Sequence, residues 1–198
     1  MTAAGTLPEM WQELCLIGII PEGGSEIQFG GATEDITAIE WMEKPMSGIQ
    51  LVNGGHAGKF EKNTDESITM KVYPLKGDDG DTDSFVQLFH PQDTADSTQP
   101  ILAINTLTRK KFGIILLWAE ELPATAGALP SASKTAYRIQ SVNAYLTGYK
   151  VDYSEKVVSA ELTFKWTPFT KGVVANKREE STDGSEQLPA AITTATGF

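Results

Sequence analysis

The sequence predicts an all-β protein with one short helix, built as an antiparallel β-sandwich or barrel of two sheets. Three stretches carry this prediction. From Val157 to Pro168, apolar and polar residues alternate strictly, which indicates a strand with one face on a core. Ser67 to Tyr73 shows the same alternation. Lys111 to Ala119 is apolar on both faces, which is typical of a strand covered on both sides.

Two hairpins are predicted from the spacing of these and neighbouring strands. The polar residues 154–156 separate Val157–Pro168 from an alternating segment that begins at Tyr149, so the two segments should pair. Asp35–Met42 and Ile49–Asn53 flank a turn-rich stretch, residues 43–48. We expect these two segments to form a longer, projecting hairpin.

Two further strands are predicted at Ile101–Thr108 and Tyr137–Leu146. In the second, the apolar residues change parity between Ile139 and Val142, which indicates a β-bulge. The helix is predicted at Asp83–His90, where Phe85, Leu88 and Phe89 share one face. The remaining connections are predicted as loops, at residues 23–31, 53–58, 93–100 and 123–133.

The chain divides by composition near residue 170. Residues 1–170 are predicted to form a single β-sandwich domain with an N-terminal arm. From Thr170 onward the sequence is polar and rich in small residues. Residues 171–198 are therefore predicted to be a C-terminal arm or a flexible tail.

Composition argues against several partners. The chain has 198 residues, with 16 Lys and Arg against 26 Asp and Glu, so its formal net charge is −10. This charge disfavours tight binding to nucleic acid. The single cysteine, Cys15, lies in an apolar run and is expected to be buried. That run is shorter than the roughly 20 residues that span a bilayer. Residues 1–20 contain no Lys or Arg, so we expect neither a secretory signal nor a membrane partner.

No motif in the sequence supports catalysis or a cofactor. The two histidines, His56 and His90, lack zinc-site spacing and a nucleophile partner. Residues 53–60 resemble a phosphate-binding loop but lack its first Gly, and Phe60 replaces the required Ser or Thr. Glu120 and Glu121 would face opposite sides of a strand. We therefore predict a non-enzyme with no catalytic residue and no cofactor.

One acidic stretch partly matches a calcium loop. Asp79, Asp81 and Asp83 fit the first three ligand positions of an EF-hand. However, Ser84 replaces the expected Gly, and His90 replaces the expected bidentate Glu. We predict helix capping rather than a metal site, and the sequence leaves open whether a divalent ion binds there.

An excess of apolar residues in the Asp35–Asn53 hairpin indicates self-association. Its apolar residues occupy both faces, and one small core has difficulty covering both faces of a projecting hairpin. A second copy of the chain could cover the other face, whereas burial inside one monomer is the alternative. The predicted subunit-interface residues are Ile39, Trp41, Met42, Met46, Ile49 and Leu51.

The order of these elements resembles that of major tail tube proteins from tailed bacterial and archaeal viruses. The resemblance rests on the early hairpin, the strand Ser67–Pro74, the short helix Asp83–His90 and the closing strand Ala160–Phe169. It implies a sandwich of two sheets with a flanking helix, and hexameric rings that stack into a tube. It also implies the partners and location: copies of the same chain, other tail proteins, a tape-measure protein, and DNA that passes without specific binding. The protein would be made in the host cytoplasm and located in the virion tail.

Two other functions remain open at this point. The first is a β-sandwich that binds carbohydrate or a receptor, for which the tryptophans Trp11, Trp41, Trp118 and Trp166 could form a stacking surface. Trp118 and Trp166 lie on core-facing parities, so this function needs an exposed Trp41. The second is the tube subunit of a contractile injection machine.

Overall fold

Antiparallel strands make up nearly all of the regular structure. The computed structural model describes residues 14–39, 46–50, 56–61, 66–74, 111–130, 134–153, 158–166, 169–170, 173–174, 176–181 and 187–195. The strands are β1 (Leu14–Pro21), β2 (Ile27–Ala32), β3 (Ile36–Ile39), β4 (Met46–Gln50), β5 (His56–Glu61), β6 (Glu66–Pro74), β7 (Phe112–Ala119), β8 (Ala136–Asp152), β9 (Ser159–Trp166), β10 (Phe169–Thr170), β11 (Val173–Val174) and β12 (Asn176–Ser181). Within these ranges, helix is limited to one 3-10 turn, Thr33–Asp35.

A closed barrel forms the centre of the fold. Going round it, each strand pairs antiparallel with the next in the order β1, β2, β6, β9, β8, β7, and β7 returns to β1. Strand β3 pairs with β6 and strand β12 with β8, so both lie outside the ring of six. The predicted all-β class with an antiparallel sandwich or barrel is confirmed.

The 17-residue strand β8 connects the two halves of the barrel. Its first half pairs with β7 and β12, and its second half pairs with β9. The register with β7 shifts between Ser141 and Ala144, where three residues of β8 span two of β7. The predicted bulge is therefore confirmed. The core-facing residues change parity there, because Ile139 and Leu146 contact the same core.

The barrel interior is filled by the apolar residues that the alternation identified. Ala160, Leu162, Phe164 and Trp166 of β9 are all buried. Strand β6 contributes three fully buried residues, Ile68, Met70 and Val72. The rings of Phe112 and Phe164 meet edge to face with centroids 5.6 Å apart. Burying each large side chain contributes roughly 1.5–3 kcal/mol, so this interior is the main source of stability.

A second apolar cluster covers the outside of the barrel, over β1, β7 and β8. It explains why β7 is apolar on both faces: Phe112, Ile114, Leu116 and Trp118 face the interior, and Ile115 and Leu117 face this outer cluster. Its other buried members are Leu16, Ile20, Ala119, Ala126, Ala136 and Leu188. The prediction that this strand is covered on both sides is confirmed.

The early hairpin is paired differently from the prediction. Strand β3 pairs with β6, and Met46–Gln50 pairs with His56–Glu61. Residues 46–48, predicted as a turn, therefore belong to a strand. The connection 51–55 lies outside the described residues, but its sequence contains Asn53-Gly54, the dipeptide most favoured in tight hairpin turns. The turn prediction placed at residues 43–48 overlooked this signal.

The loop predicted at residues 23–31 is also wrong in its second half. Ile27–Ala32 forms β2, with Ile27 and Phe29 buried in the barrel. Gly31 occupies a position in β2 where space is short, since a Cβ atom there would lie 2.5 Å from Cδ1 of Ile17. The predicted strand Ile101–Thr108 and helix Asp83–His90 lie outside the described residues.

The predicted C-terminal arm has ordered contacts with the barrel. Residues 176–181 form β12 along β8, and Leu188 is buried in the outer cluster. We call residues 187–195 the C-terminal strap. The division of the chain near residue 170 stays a prediction.

Candidate assembly surfaces

Two strands outside the barrel each have one edge with no partner strand in the described part of the chain. These strands, β3 and β12, differ in chemistry. Strand β12 carries Lys177, Arg178, Glu179 and Glu180, and charges on an edge discourage pairing with another chain. Strand β3, residues 36–39, has the uncharged sequence Ile-Thr-Ala-Ile. The β3 edge is therefore the better candidate for pairing between subunits.

The β4–β5 hairpin forms a separate two-stranded sheet. Among the described strands, β4 and β5 pair only with each other. A hairpin of two strands is marginally stable in water and needs a further strand or an apolar surface against it. Its sequence includes Met46, Ile49 and Phe60, which suit such packing.

Half of the predicted interface residues fall in these two elements. Ile39 is the last residue of β3, and Met46 and Ile49 belong to β4. The others, Trp41, Met42 and Leu51, lie outside the described residues. The interface role of all six residues stays a prediction.

Sequence reasoning missed an exposed apolar patch at the end of the β8–β9 hairpin. We call Tyr149, Tyr153 and Val158 the hairpin-end patch; these side chains are 46%, 69% and 39% exposed. Tyr149 lies opposite Leu162 in the register, so it shares the face of β9 that fills the barrel. The alternation marked this face as apolar, but the barrel interior ends before the hairpin does. The patch is thus apolar surface left in water.

The outer face of strands β6, β9 and the second half of β8 is polar. Thr69 and Thr163 lie opposite each other with their hydroxyl oxygens 3.1 Å apart. Glu161 lies opposite Lys71 on one side and Lys150 on the other. Cross-strand pairs of opposite charge stabilise a sheet modestly and leave little net charge on its surface. This face is suited to contact with water.

A buried arginine attaches β12 and the C-terminal strap to the barrel. The Arg138 side chain is fully buried; its Nε donates to Oε2 of Glu179 at 2.9 Å, and its Nη2 donates to the same oxygen and to the carbonyl of Pro189. Gln140 donates to Glu179 at 3.0 Å and accepts from the backbone N–H of Ile192 at 2.9 Å. Arg138, Gln140 and Glu179 are called the latch below. A buried charge requires such a partner set.

A carboxyl and an amide hold the loop that follows β7. Glu26 accepts from the N–H of Gly127 at 2.9 Å, and Gln28 accepts from the N–H of Ala126 at 2.9 Å. Glu26 also lies against Gly18, where a Cβ atom would collide with its carboxyl oxygen. Burial raises the pKa of Glu26 above its usual value, although hydrogen bonds from Gln28 and Gly127 act in the opposite direction. Ala126 is thereby placed in the outer cluster.

The raised pKa of Glu26 gives a testable pH dependence. The neutral Glu26 carboxyl stabilises the folded protein fully at pH values below the ordinary Glu pKa. This stabilisation is lost as pH rises through the raised pKa, because the buried carboxyl must then ionise. We expect Glu26→Gln to unfold at higher urea than the wild type at neutral pH, and to lose this advantage in acid. The difference should be at most about 1 kcal/mol, since the carboxyl is partly solvated. Glu121→Gln, on the exposed surface, is the control. An advantage that grew in acid would contradict the assignment.

The single cysteine and two of the tryptophans are buried, as the sequence predicted. Cys15 is 2% exposed, and burial raises its pKa to about 12, so its thiol stays neutral. Trp118 and Trp166 are 8% and 1% exposed. Among the described residues, no group of three His, Cys, Asp or Glu side chains could hold a metal ion. Within the same residues, no helix is long and apolar enough to cross a membrane.

Comparison with known proteins gives distant structural matches only. No protein-family model and no curated protein matches the sequence. The sheath/tube terminator of an extracellular contractile injection system, PVC, is 13% identical with a TM-score of 0.36, over 91% of this chain and 99% of that one. An anti-feeding prophage baseplate structure is 8% identical with a TM-score of 0.39, over 91% of this chain and 97% of that one. The tube-terminating cap of the anti-feeding prophage is 12% identical with a TM-score of 0.35, over 92% of this chain and 95% of that one. The structural neighbours are thus components of phage-tail-like particles, and similarity at this level does not assign a function to the chain.

Proposed function

We propose that the chain is a structural subunit of a phage-tail-like tube, in which copies join edge to edge into hexameric rings that stack. One observation carries the proposal: of the two strands at the ends of the main sheet in the described structure, one is protected by charge and the other, β3, is not. Natural proteins protect edges that must stay unpaired. An uncharged and unprotected edge is consistent with one that is paired in the assembly.

The two candidate surfaces differ from each other, and this favours a ring. In the proposed contact, the β3 edge of one copy meets the β4–β5 hairpin of the next. A contact between two different surfaces is head-to-tail, and it closes into a ring when the rotation between copies permits. The hairpin would gain the extra strand or surface that a two-stranded sheet lacks. The number six comes from the tube-protein family that the sequence resembles.

The polar sheet face is proposed to line the lumen. The other sheet face is covered by the protein's own loop and C-terminal strap, whereas the face with Thr69, Thr163 and Glu161 is polar. Interleaved charges and an overall net charge of −10 give DNA little to bind. Other tail proteins, a tape-measure protein and passing DNA are the proposed partners. The proposed location is a virion tail or a related particle, after synthesis in the host cytoplasm.

Experiments can distinguish two alternative functions from the proposed one. A tube from a contractile injection machine would form the same rings but would also bind a sheath protein. A carbohydrate-binding sandwich would stay monomeric and bind sugar. That function loses support because Trp118 and Trp166 are buried; Trp11 and Trp41 lie outside the described residues.

A lysine placed on the β3 edge tests the proposal. Thr37 is exposed, so Thr37→Lys should leave the barrel folded while preventing an incoming strand from pairing. We expect wild-type protein to form rings or tubes in negative-stain images, and the variant to sediment as a monomer. The matched control is Glu180→Lys on β12, where a charged residue already stands; it should assemble like the wild type. Assembly of Thr37→Lys into normal tubes would rule out the β3 edge.

A further inference from the structure

The C-terminal strap is bound to the barrel in the way a separate peptide would be. It crosses the outer face of β1, β7 and β8 with Leu188 buried and Ile192 packed against the same apolar cluster. Between these two anchors, Pro189 and Ala190 are exposed. The latch contacts the strap through backbone atoms, the carbonyl of Pro189 and the N–H of Ile192. Backbone hydrogen bonds combined with spaced side-chain anchors are the usual means of binding an extended peptide.

The groove under the strap has a shape that fits it. Gly113 forms a hollow on β7, where a Cβ atom would lie 3.2 Å from Cδ1 of Ile192 and 3.2 Å from Cβ of Ile20. A larger residue at this position would compete with Ile192 for space. The hollow and the latch together fix the register of the strap on the barrel.

Removing the strap would leave the barrel interior intact. The interior core contains no strap residue, whereas the outer cluster contains Leu188, Ala191 and Ile192. Loss of the strap would therefore expose the outer faces of β1 and β7 without opening the barrel. An apolar surface of this kind must be covered again, either by the same strap or by an identical one.

The segment before the strap has a composition suited to exchange between copies. Residues 182–186 read Thr-Asp-Gly-Ser-Glu, polar and small. Five residues in extended form reach up to about 17 Å. An identical copy offers the same groove and the same latch, so moving the strap to a neighbour replaces every contact it loses. Within an assembly the neighbouring groove is present at high effective concentration.

From these observations we infer that the C-terminal strap is exchanged between subunits, so that residues 187–195 of one copy occupy the groove of a neighbouring copy. The inference rests on the proposed self-assembly. It assigns a role to the latch: the buried Arg138–Glu179 pair selects the correct docking register among many apolar surfaces in the assembly, a role that buried ion pairs are known to serve.

Cysteines placed on two different copies test the exchange. One full-length variant carries Gly113→Cys in the groove and another carries Ile192→Cys in the strap, where the shorter side chain makes room for the thiol at position 113. Cys15 is buried with a pKa of about 12, so it should stay unreactive. The two variants are mixed, assembled and oxidised with diamide. We expect an interchain disulfide at least about tenfold more abundant than with Thr194→Cys, an exposed strap position, because the bond needs close Cβ atoms.

Two further measurements complete the test. A double variant, Gly113→Cys with Ile192→Cys in one chain, shows whether the two positions can bond at all. A labelled peptide of residues 187–195 added to full-length Leu188→Asp/Ile192→Asp shows whether a vacated groove accepts a strap in trans. Peptide binding together with the interchain disulfide supports exchange. A double variant that bonds only within one chain overturns it, and so does a peptide that fails to bind.

The outcomes also separate this inference from the proposed function. Rings without interchain bonds would leave the tube proposal intact and overturn the exchange. Interchain bonds in a species that forms no ring would support exchange and contradict the tube.

Discussion

Replacing Phe164 with alanine should strongly destabilise the protein. Phe164 is fully buried in the barrel and contacts the ring of Phe112. Strand β9 is paired on both sides, with β6 and with β8, so the backbone cannot move inward to fill the space. We expect the free energy of unfolding to fall by about 3–5 kcal/mol, the range for a phenylalanine removed from a core that cannot relax. Urea unfolding followed by fluorescence measures the change.

The matched control lies on the same strand pair and the same face. Val158 projects on the same side as Phe164 but beyond the end of the barrel interior, and it is 39% exposed. Val158→Ala should therefore change stability by less than about 0.5 kcal/mol, as is usual for surface positions. Equal losses at the two sites would mean that the barrel does not have one central core.

Strands that depend on local alternation were predictable from the sequence. Residues 67–73 and 157–168 alternate because one face of each strand lies in the barrel and the other does not. The structure buries the predicted apolar set except Val158, which lies beyond the end of the barrel interior. The bulge in β8 was predictable for the same reason, since a change of parity is visible in the sequence. These features need no knowledge of distant residues.

Features that depend on distant contacts were not predictable. Arg138 and Gln140 lie on the polar parity of β8, which alternation would assign to water. The structure buries both because the strap, about 50 residues later in the sequence, crosses over them. The strap itself has only two large apolar anchors, Leu188 and Ile192, so its composition resembles that of a loose tail. Polar residues that bury each other leave no periodic signal.

The candidate assembly surfaces were predicted in part. The sequence pointed to the region from Ile39 to Leu51, and the structure places two elements with incomplete pairing there, β3 and β4. The sequence alone does not show that β3 and β12 are edge strands, because the strands that lie at an edge are set by how the barrel closes. The hairpin-end patch was missed because alternation identifies the apolar face of a strand but not where the core ends.

Disrupting the latch should cause the second large loss of stability. Arg138→Met removes the cation that neutralises Glu179 and the donor to the carbonyl of Pro189. Methionine fills much of the same volume but leaves the Glu179 carboxylate, which is only 13% exposed, without its ionic partner. Breaking a buried pair from one side costs about 3–5 kcal/mol. We expect that loss in urea unfolding, together with faster amide hydrogen exchange in β12 and the strap.

The control for this prediction removes both charges. In Arg138→Met/Glu179→Met the carboxylate is gone, and replacing a buried pair with apolar residues of similar size is often neutral. Stability should return to within about 1 kcal/mol of the wild type, since the outer cluster still covers the strap. The strap should not regain its fixed register on the barrel, because the donor to the carbonyl of Pro189 is still missing. If the cysteine pair at positions 113 and 192 bonded as efficiently in this background as in the wild type, the latch would contribute only to stability, and its role in selecting the docking position would be disproved.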